Sequence, residues 1–410
     1  MKKIISLFII ACVAFTGCDR FLLDDIAKVP IKRQDILLTK AQAEMIPSTT
    51  SFSFDFLREL SASEKSNVNL FMSPFSLQTA LSMAAAGAVG QTQEEIYTTI
   101  SYDNYSVNDV NNLYKTLIPR LKNVDNTTQI GIANSLWSKE TAKILPSFKS
   151  MMNDYYDAST HTIDENFSTE VNRWVKKETK GMINSFQMPD KAEAAILNAL
   201  YFKGLWTDQF EKRDNIVDTF YNYDGSKPKI SFMTQKELSY PAYGGESFMS
   251  LSIPYGNGAY RITIMLPDEG KTVDDVIAEL DADIWGKCYT AAKVSANIWI
   301  PKFETEYTIS SIAMLGILKK MGINQAFTNY ADFSQMAELS LKITDVLQKS
   351  IIKIDENGTE AATVTGVAFG PTSAGPPVGL LEFKVDHPFV YFISEISTGT
   401  ILFAGVQKTF

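Results

Sequence analysis

The segment from Glu356 to Ala368 has the residue types of a strand that is ready to form. Gly358 supplies a pivot without a Cβ atom, and the residues after it are small or β-branched, with no Lys, Arg or Trp. In a strand, alternate side chains point to opposite faces. The inward set would be Thr359, Ala361, Thr363, Thr365 and Val367, and the outward set Glu360, Ala362, Val364, Gly366 and Ala368. The inward set carries no charge, so this face of the strand could be buried.

The rest of the chain does not indicate an enzyme. It has only two histidines, His161 and His387, and lacks Gly-x-Ser-x-Gly, His-Glu-x-x-His and Gly-x-Gly-x-x-Gly motifs. His387 precedes a Pro at the start of an apolar run, which indicates a structural role. No Cys-x-x-Cys pair is present, so we expect neither a metal nor another cofactor.

Periodicity indicates one large α+β domain. The chain has 410 residues, with 45% hydrophobic and 21% charged residues, and no low-complexity linker divides it. Helical spacing predicts helices over 51–60 and 76–87, the second crowded with alanines that allow close packing. A hairpin is predicted over 251–266 around Gly256-Asn257-Gly258, and further strands over 294–299 and 351–354.

Several segments, in order along the chain, resemble the serpins, a family of protease inhibitors. They are 69–83, 167–183, 197–210, 301–303, 331–334 and the hinge region from Glu356. The resemblance implies the α+β serpin fold over residues 46–410, with about nine helices packed on three β-sheets and an exposed reactive loop. It also implies suicide inhibition: a target protease acylates itself on the loop, which then inserts into the main sheet as an extra strand.

The resemblance assigns roles along the loop. The hinge residues are Glu356, Gly358, Thr359, Glu360, Ala361, Ala362 and Thr363. Sixteen steps from Glu356, the family spacing, place the reactive bond at Thr372-Ser373, whereas counting back from Phe383 reaches Pro376-Pro377. We favour the hinge-side count because it fixes the length of strand that can insert.

The residues around the bond indicate the target proteases. Thr372 suits elastase-like serine proteases with small pockets. Phe369-Gly370 is a secondary site for chymotrypsin-like or papain-like enzymes. Because no Lys or Arg lies between Lys353 and Lys384, trypsin-like enzymes should react poorly.

Two further clusters follow from the resemblance. The shutter, which controls opening of the main sheet, comprises Asn69, Ser73, Ser76, Asn198 and Gln348, with Gln348 where most serpins have His. Gln can donate and accept hydrogen bonds but cannot become cationic. The breach, where insertion begins, comprises Lys203, Gly204 and Trp206, although Trp206 also suits a plain core role.

The N-terminus has the pattern of a secretion signal. Two lysines precede the apolar run 4–15, and Thr16-Gly17-Cys18 resembles a bacterial lipoprotein cleavage site. We expect a signal peptide over 1–17, acylation of Cys18, a tether over 18–45, and a location on the bacterial cell envelope or outer surface. The alternative is an ordinary signal peptide with an incidental Cys.

Charge limits the partners. Removal of residues 1–17 leaves 36 basic and 47 acidic residues, a net charge of −11. Such a chain repels nucleic acid and heparin-like polyanions, so neither is expected as a partner of this monomer. A non-inhibitory serpin acting in binding or as a chaperone is the alternative function. Non-inhibitory members tend to carry charge or bulk at the inward hinge positions, which are small and uncharged here.

Overall fold

The computed structural model describes residues 31–65, 67–163, 165–183, 185, 193–359 and 379–410. Within these ranges the α-helices are α1 Lys40–Ser63, α2 Pro74–Ala86, α3 Gly90–Thr99, α4 Val107–Leu121, α5 Pro146–Tyr156, α6 Phe167–Glu178, α7 Val273–Glu279, α8 Ala282–Tyr289 and α9 Ser311–Met321. The strands are β1 Leu70–Met72, β2 Gln129–Ser138, β3 Ala158–Thr162, β4 Ala194–Leu205, β5 Ile216–Thr219, β6 Lys229–Gly244, β7 Phe248–Tyr255, β8 Tyr260–Pro267, β9 Lys293–Pro301, β10 Phe303–Ile309, β11 Gln348–Asp355, β12 Gly358–Thr359, β13 Leu381–Lys384, β14 Phe389–Glu395 and β15 Ile401–Gln407.

The strands form two sheets. The smaller sheet has six strands in the order β10-β11-β12-β4-β2-β3, all antiparallel except for the β2–β3 pair. The larger sheet has nine strands, with β1-β15-β14-β8-β7-β6-β9-β13 as its path and β5 paired to β6. The six-stranded sheet contains the hinge and is called the main sheet below.

Two of the three expected sheets are continuous through β6. This strand has 16 residues, of which the part up to Pro241 pairs with β9 and the end, Ala242 to Gly244, pairs with β7. A register shift between Gln235 and Leu238 bends the strand. One long bent strand therefore joins two of the three sheets that the resemblance implies.

Helix starts follow local capping chemistry. The Thr39 hydroxyl accepts from the Gln42 amide, and the Gln42 side chain caps Thr39 in return, so α1 begins at Lys40. Ser73 caps α2 and Pro74 follows at its first turn. The small residues of α2 let it pack closely against β4 and β15.

The N-terminal segment before α1 contacts the β7–β8 hairpin and the turn between β14 and β15. The Asn257 Nδ2 donates to the Ile31 carbonyl at 3.2 Å, and the Ile36 amide donates to the Ser397 hydroxyl at 2.7 Å. Helix α1 begins at Lys40 and is continuous across position 45, where we placed the end of the tether. None of the helices in the described ranges is long and apolar enough to cross a membrane.

The α+β architecture expected from the sequence is confirmed. Nine α-helices occur within the described ranges, as the resemblance implied. The predicted hairpin is β7–β8, closed at Gly256–Gly258, and the strands predicted over 294–299 and 351–354 lie inside β9 and β11.

Candidate functional site at the hinge

The site begins as a tight reversal at the end of β11. The chain turns through Glu356 and Asn357, and β12 returns antiparallel, with Gly358 opposite Asp355 and Thr359 opposite Ile354. The Asp355 carboxylate accepts from the Asn357 amide at 2.9 Å, which closes the turn. Gly358 has φ +151°, a conformation that L side chains rarely adopt.

Strand β12 lies between β11 and β4. Gly358 pairs with Leu205 and Thr359 with Gly204 on one side, while β11 is paired on the other. Within the described ranges, β4 and β11 form no ladder with each other. Neighbouring strands are about 4.8 Å apart, so β4 and β11 are separated at this level by about 9.6 Å, the space for one strand.

Thr359 occupies a buried position in this space. Its side chain is 2% exposed, and its Oγ1 lies 2.7 Å from the Tyr255 hydroxyl. The Tyr255 ring stacks on Trp206, with centroids 4.6 Å apart. The hinge residue therefore contacts Tyr255, one ring of this aromatic pair, and a charged side chain in its place would be shielded from solvent.

The breach residues hold the turn from the β4 side. Trp206 donates through Nε1 to the Asp355 carbonyl at 2.8 Å and through its amide to the Asn357 carbonyl at 2.9 Å. Gly204 pairs directly with Thr359, and Lys203, half-buried, pairs in register with Gln129 of β2. Trp206 is thus a packed core aromatic that also binds the hinge backbone, and its role at the start of insertion stays a prediction.

Glu356 anchors the turn through an ion pair in which its own carboxylate is buried while Lys302 is 36% exposed. Its Oε1 accepts from Lys302 Nζ at 2.8 Å and from Asn215 Nδ2 at 2.5 Å, and its side chain is 4% exposed. Burial acts to raise the pKa of this carboxyl. The hydrogen bonds from Lys302, its own backbone and Asn215 outweigh burial, so the pKa lies below the ordinary 4.5 and Glu356 is anionic at neutral pH.

The predicted shutter residues make three separate sets of hydrogen bonds. Gln348 accepts from the Ser73 amide at 3.0 Å and donates to the Ser73 carbonyl at 2.8 Å, which joins the start of β11 to the cap of α2. Ser73 also accepts from the Ser76 amide and donates to the Leu402 carbonyl. An amide can make both contacts to Ser73 without a change of charge.

The other two shutter residues make different hydrogen bonds, although Asn198 lines the same small cavity as Ser73, Ser76 and Gln348. Asn198 donates to Asn134 Oδ1 at 2.5 Å on the neighbouring strand β2. Asn69 accepts from the amides of Lys408 and Thr409, at the C-terminus. Strand β1 lies between Asn69 and Ser73 and spans about 10 Å at ~3.3 Å per residue, so the two side chains reach different partners.

The histidines have packing contacts. His161 stacks on Trp137, with centroids 4.2 Å apart, on the short strand β3. His387 bonds Asp386 and the Pro267 carbonyl, each at 3.0 Å. Both side chains lie away from the hinge contacts described above.

Several predicted site residues lie outside the described ranges. They are Glu360, Ala361, Ala362, Thr363, Phe369, Gly370, Thr372, Ser373 and Cys18. Their roles remain predictions from the sequence.

Sequence reasoning missed three residues of the site. Tyr255 binds Thr359, and Lys302 and Asn215 bind Glu356. Tyr255 and Thr359 are 104 residues apart, and Lys302 precedes Glu356 by 54. Two signals were available: Lys302 lies in the 301–303 motif, and Tyr255 lies at the end of a predicted strand. Neither pattern predicts which residue the side chain contacts.

Comparison with known proteins identifies the family. The family model described as Serpin (serine protease inhibitor) matches residues 47–408. Iripin-2 of Ixodes ricinus is 30% identical over 381 residues, which cover 89% of this chain and 93% of that protein. The chain therefore belongs to the serpin family.

Solved structures agree on the fold. The native state of tengpin, a thermophilic serpin, superposes with a TM-score of 0.80 at 29% identity and covers 93% of this chain and 98% of that chain. Human thyroxine-binding globulin complexed with thyroxine has a TM-score of 0.80 at 25% identity, covering 90% of this chain and 99% of that chain. The fold is thus shared by proteins with different functions.

The first prediction concerns Gly358. A Cβ here would overlap the Gly204 carbonyl oxygen and lie 2.7 Å from Leu205 Cα, and φ +151° adds backbone strain. We expect Gly358→Ala to displace β12, at a cost of roughly 1–3 kcal/mol from strain. Hydrogen exchange at the Gly204, Leu205 and Thr359 amides should accelerate by about tenfold or more.

The matched control is Gly286→Ala. Gly286 lies in α8, and apart from its chain neighbours and the backbone of its own helix no described atom lies within 4 Å of the position that a Cβ would take there. This substitution should leave exchange at the hinge unchanged. Undiminished protection at Thr359 in Gly358→Ala would show that β12 is not held by close backbone approach.

The second prediction is a pH dependence from Glu356. Because its folded pKa is depressed, its contribution to stability is present above the unfolded value and is lost as pH falls through the folded pKa. At pH 7, Glu356→Gln should lower the free energy of unfolding by about 1.5–3 kcal/mol, typical of hydrogen bonds to charged groups. The difference should shrink below about pH 4.

Thermal unfolding of both proteins from pH 7 to pH 3 measures this difference. Glu211→Gln, which changes an exposed carboxylate on a nearby loop, serves as control and should have little effect at any pH. A difference between wild type and Glu356→Gln that stays constant through pH 3 would contradict the ion-pair account.

Proposed function

We propose that the chain is a suicide inhibitor of extracellular serine proteases, and of papain-like cysteine proteases, that traps the acyl-enzyme by loop insertion. The observation that carries the proposal is the position of Thr359, buried between β4 and β11 in the space for one strand. The strand that would extend from it has an uncharged inward face. The family model, described as serine protease inhibitor, supports the same class of function.

The mechanism begins as ordinary substrate cleavage. The nucleophilic oxygen or sulfur of the target attacks the Thr372 carbonyl carbon, and the bond to the Ser373 nitrogen breaks. The proton of the nucleophile passes through the general base of the target to the leaving amine. An ester or thioester then joins Thr372 to the protease, and the segment from Ser373 onward is released from the strand.

Insertion then competes with hydrolysis of that acyl bond. The segment from Thr359 to Thr372 has 14 residues and would form a strand of about 45 Å at ~3.3 Å per residue. Pairing with β4 and β11 on both sides would carry the tethered protease along the main sheet. Distortion of the protease active site would then leave the acyl bond intact, and each inhibitor molecule would be consumed once.

Thyroxine-binding globulin supplies the alternative. That structural neighbour is complexed with thyroxine, so the fold is compatible with a binding function. The small, uncharged inward positions from Thr359 onward favour insertion here. A covalent protease complex separates the two functions, because a binding protein has no reason to form one.

We also propose that the inhibitor is lipid-anchored at Cys18 on the bacterial cell envelope. The lysines before the apolar run 4–15 and the Thr16-Gly17-Cys18 sequence support this proposal. Acylation of Cys18 would place the domain near secreted proteases at the cell surface.

The third prediction tests insertion at Thr359. Because Thr359 is already paired between β4 and β11 in the intact protein, Thr359→Arg should expel β12 from the sheet, and return of the hinge during insertion would bury an unpaired guanidinium at a cost of several kcal/mol. We expect normal cleavage at Thr372-Ser373 by an elastase-like protease, loss of the SDS-resistant complex, and a rise of about tenfold or more in inhibitor molecules consumed per protease inhibited.

Two control variants separate charge from hydrogen bonding. Thr359→Ser keeps the hydroxyl near Tyr255 and should behave almost as wild type, while Thr359→Val keeps the shape and should show a small effect. Complex formation by the Arg variant at an undiminished yield would contradict the insertion mechanism.

Sequencing the released C-terminal peptide identifies the bond that the protease cleaves. A fragment beginning at Val378 or later would refute the hinge-side count.

The fourth prediction tests the anchor. Cys18→Ser should move the protein from the membrane fraction to the soluble fraction, because the acylated residue is lost. Mass spectrometry of the mature wild-type protein should find a lipid-modified Cys18 at its N-terminus. An unmodified N-terminus elsewhere would exclude the anchor without bearing on protease inhibition.

A further inference from the structure

A series of alternating charges surrounds the short segment between β13 and β14, which is called the corner below. Lys384, the last residue of β13, donates to the Asp218 carboxylate of β5 at 2.8 Å and lies 3.3 Å from the Asp386 carboxylate. Lys229 of β6 lies 3.4 Å from the same Asp218. The Asp386 carboxylate in turn lies 3.0 Å from His387 Nδ1. The corner is thus connected to two other strands of the larger sheet through charged side chains.

His387 connects the corner to the end of β8. Its Nε2 lies 3.0 Å from the carbonyl oxygen of Pro267, the last residue of β8, and its Nδ1 lies 3.0 Å from Asp386 Oδ1. Both partners are acceptors, because an ionised carboxylate and a backbone carbonyl have no proton to donate. A neutral imidazole has one N–H and can donate to only one of them, whereas an imidazolium donates to both. The two contacts therefore require the protonated ring.

The groups around His387 favour the same protonated form. Burial acts to lower the pKa of His387, but the hydrogen bonds to Asp386 and to the Pro267 carbonyl outweigh burial, together with the negative charge of Asp386, so the pKa lies above the ordinary 6.5. Burial acts to raise the pKa of Asp386, but His387 and Lys384 hold it below the ordinary 3.8. Asp268 follows Pro267 on the β8 side, and among the described residues His387 forms its ion pair with Asp386 and not with Asp268.

The corner also fixes the strand that follows the loop. Phe383 and Val385 are buried, and the Val385 amide donates to the Trp299 carbonyl, which extends the pairing of β13 with β9. The Asp386 carbonyl accepts from the Tyr221 amide, just after β5. Strand β13 has only four residues and lies at the end of its sheet, so its own backbone hydrogen bonds are few. The contacts of the corner therefore contribute to holding β13 in place.

We propose that His387 is a pH-sensitive clamp on β13. As an imidazolium it joins Asp386 to the end of β8. Loss of its proton leaves one N–H for two acceptors, so one contact breaks and the corner loosens. The clamp would act in this way whether or not the loop inserts into the main sheet.

The pH range of the clamp follows from the two partners. Because the pKa of His387 is raised by folding, its contribution to stability is fully present below 6.5 and is lost as pH rises through the folded pKa. Because the pKa of Asp386 is depressed, its contribution is present above 3.8 and is lost as pH falls through the folded pKa. The clamp is therefore complete from pH 3.8 to 6.5 and weakens in alkaline solution.

The protonation of His387 is measured by NMR of the imidazole rings in the full native protein, which has only two histidines. His161→Gln identifies the signals of His387. We expect His387 to carry a proton on each ring nitrogen at about pH 6 and to titrate with a pKa above 6.5, and Asp386→Asn should lower that pKa. Burial and the charge of Lys177 lower the pKa of His161, which should titrate below 6.5. A neutral His387 ring at about pH 6 would overturn the clamp.

The effect on β13 is measured by hydrogen exchange at the Val385 and Tyr221 amides, corrected for the intrinsic rate at each pH. At about pH 6, His387→Gln should exchange about two- to fivefold faster than wild type, a modest effect because the His387 side chain is 35% exposed and water screens the pair. At about pH 8.5 the two proteins should exchange alike, since the wild-type ring has then lost its proton.

His387→Arg and His161→Gln are the controls. Arg can donate to both acceptors and stays cationic throughout this range, so His387→Arg should keep its protection at both pH values. His161 lies on β3, and its substitution should leave exchange at Val385 unchanged. Equal exchange in wild type and His387→Gln at about pH 6 would show that the ring does not hold β13. Protection that falls with pH in His387→Arg as it does in wild type would assign the pH dependence to another group.

Discussion

The placement of two residues, Gly358 and Thr359, between β4 and β11 is the constraint on which the rest of the site depends. Backbone pairing on both sides requires that the two neighbouring strands stand one strand apart. Gly358 is needed because its backbone approaches Gly204 and Leu205 too closely for any side chain. The main sheet therefore already holds the first residues of a strand whose remainder lies in the loop.

The hinge is held by contacts that differ in strength and in what could release them. The Trp206 hydrogen bonds and the Thr359–Tyr255 contact are neutral and buried. The Glu356–Lys302 pair is charged, and its loss would leave a charge at a largely buried position. Gln348 joins β11 to α2 without a titratable group. Among these contacts, acid can weaken the hinge turn by protonating the Glu356 carboxylate. Acid does not change the charge of Gln348.

Much of this arrangement could be predicted because it is encoded locally. The alternation after Gly358, the Gly256–Gly258 turn and the order of family motifs predicted the fold, which is confirmed, and also the hinge and breach residues, whose roles stay predictions. Contacts between distant residues could not be predicted in this way. The Tyr255 hydroxyl on Thr359 and the Asn215–Lys302 pair on Glu356 depend on the packing of strands far apart in sequence. The same limit explains Asn69, which a motif groups with Ser73 but which the structure places on the C-terminal residues.

We expect β4 and β11 to accept the rest of the loop as a strand, which can be measured by thermal unfolding of the protein before and after a single loop cleavage. About 14 inserted residues at ~1 kcal/mol per net hydrogen bond would raise the unfolding midpoint of a chain of this size by roughly 20 °C. We expect such an increase, together with new hydrogen-exchange protection along β4 and β11. A cleaved protein that unfolds at the same temperature as the intact one, with both strands unprotected, would contradict it.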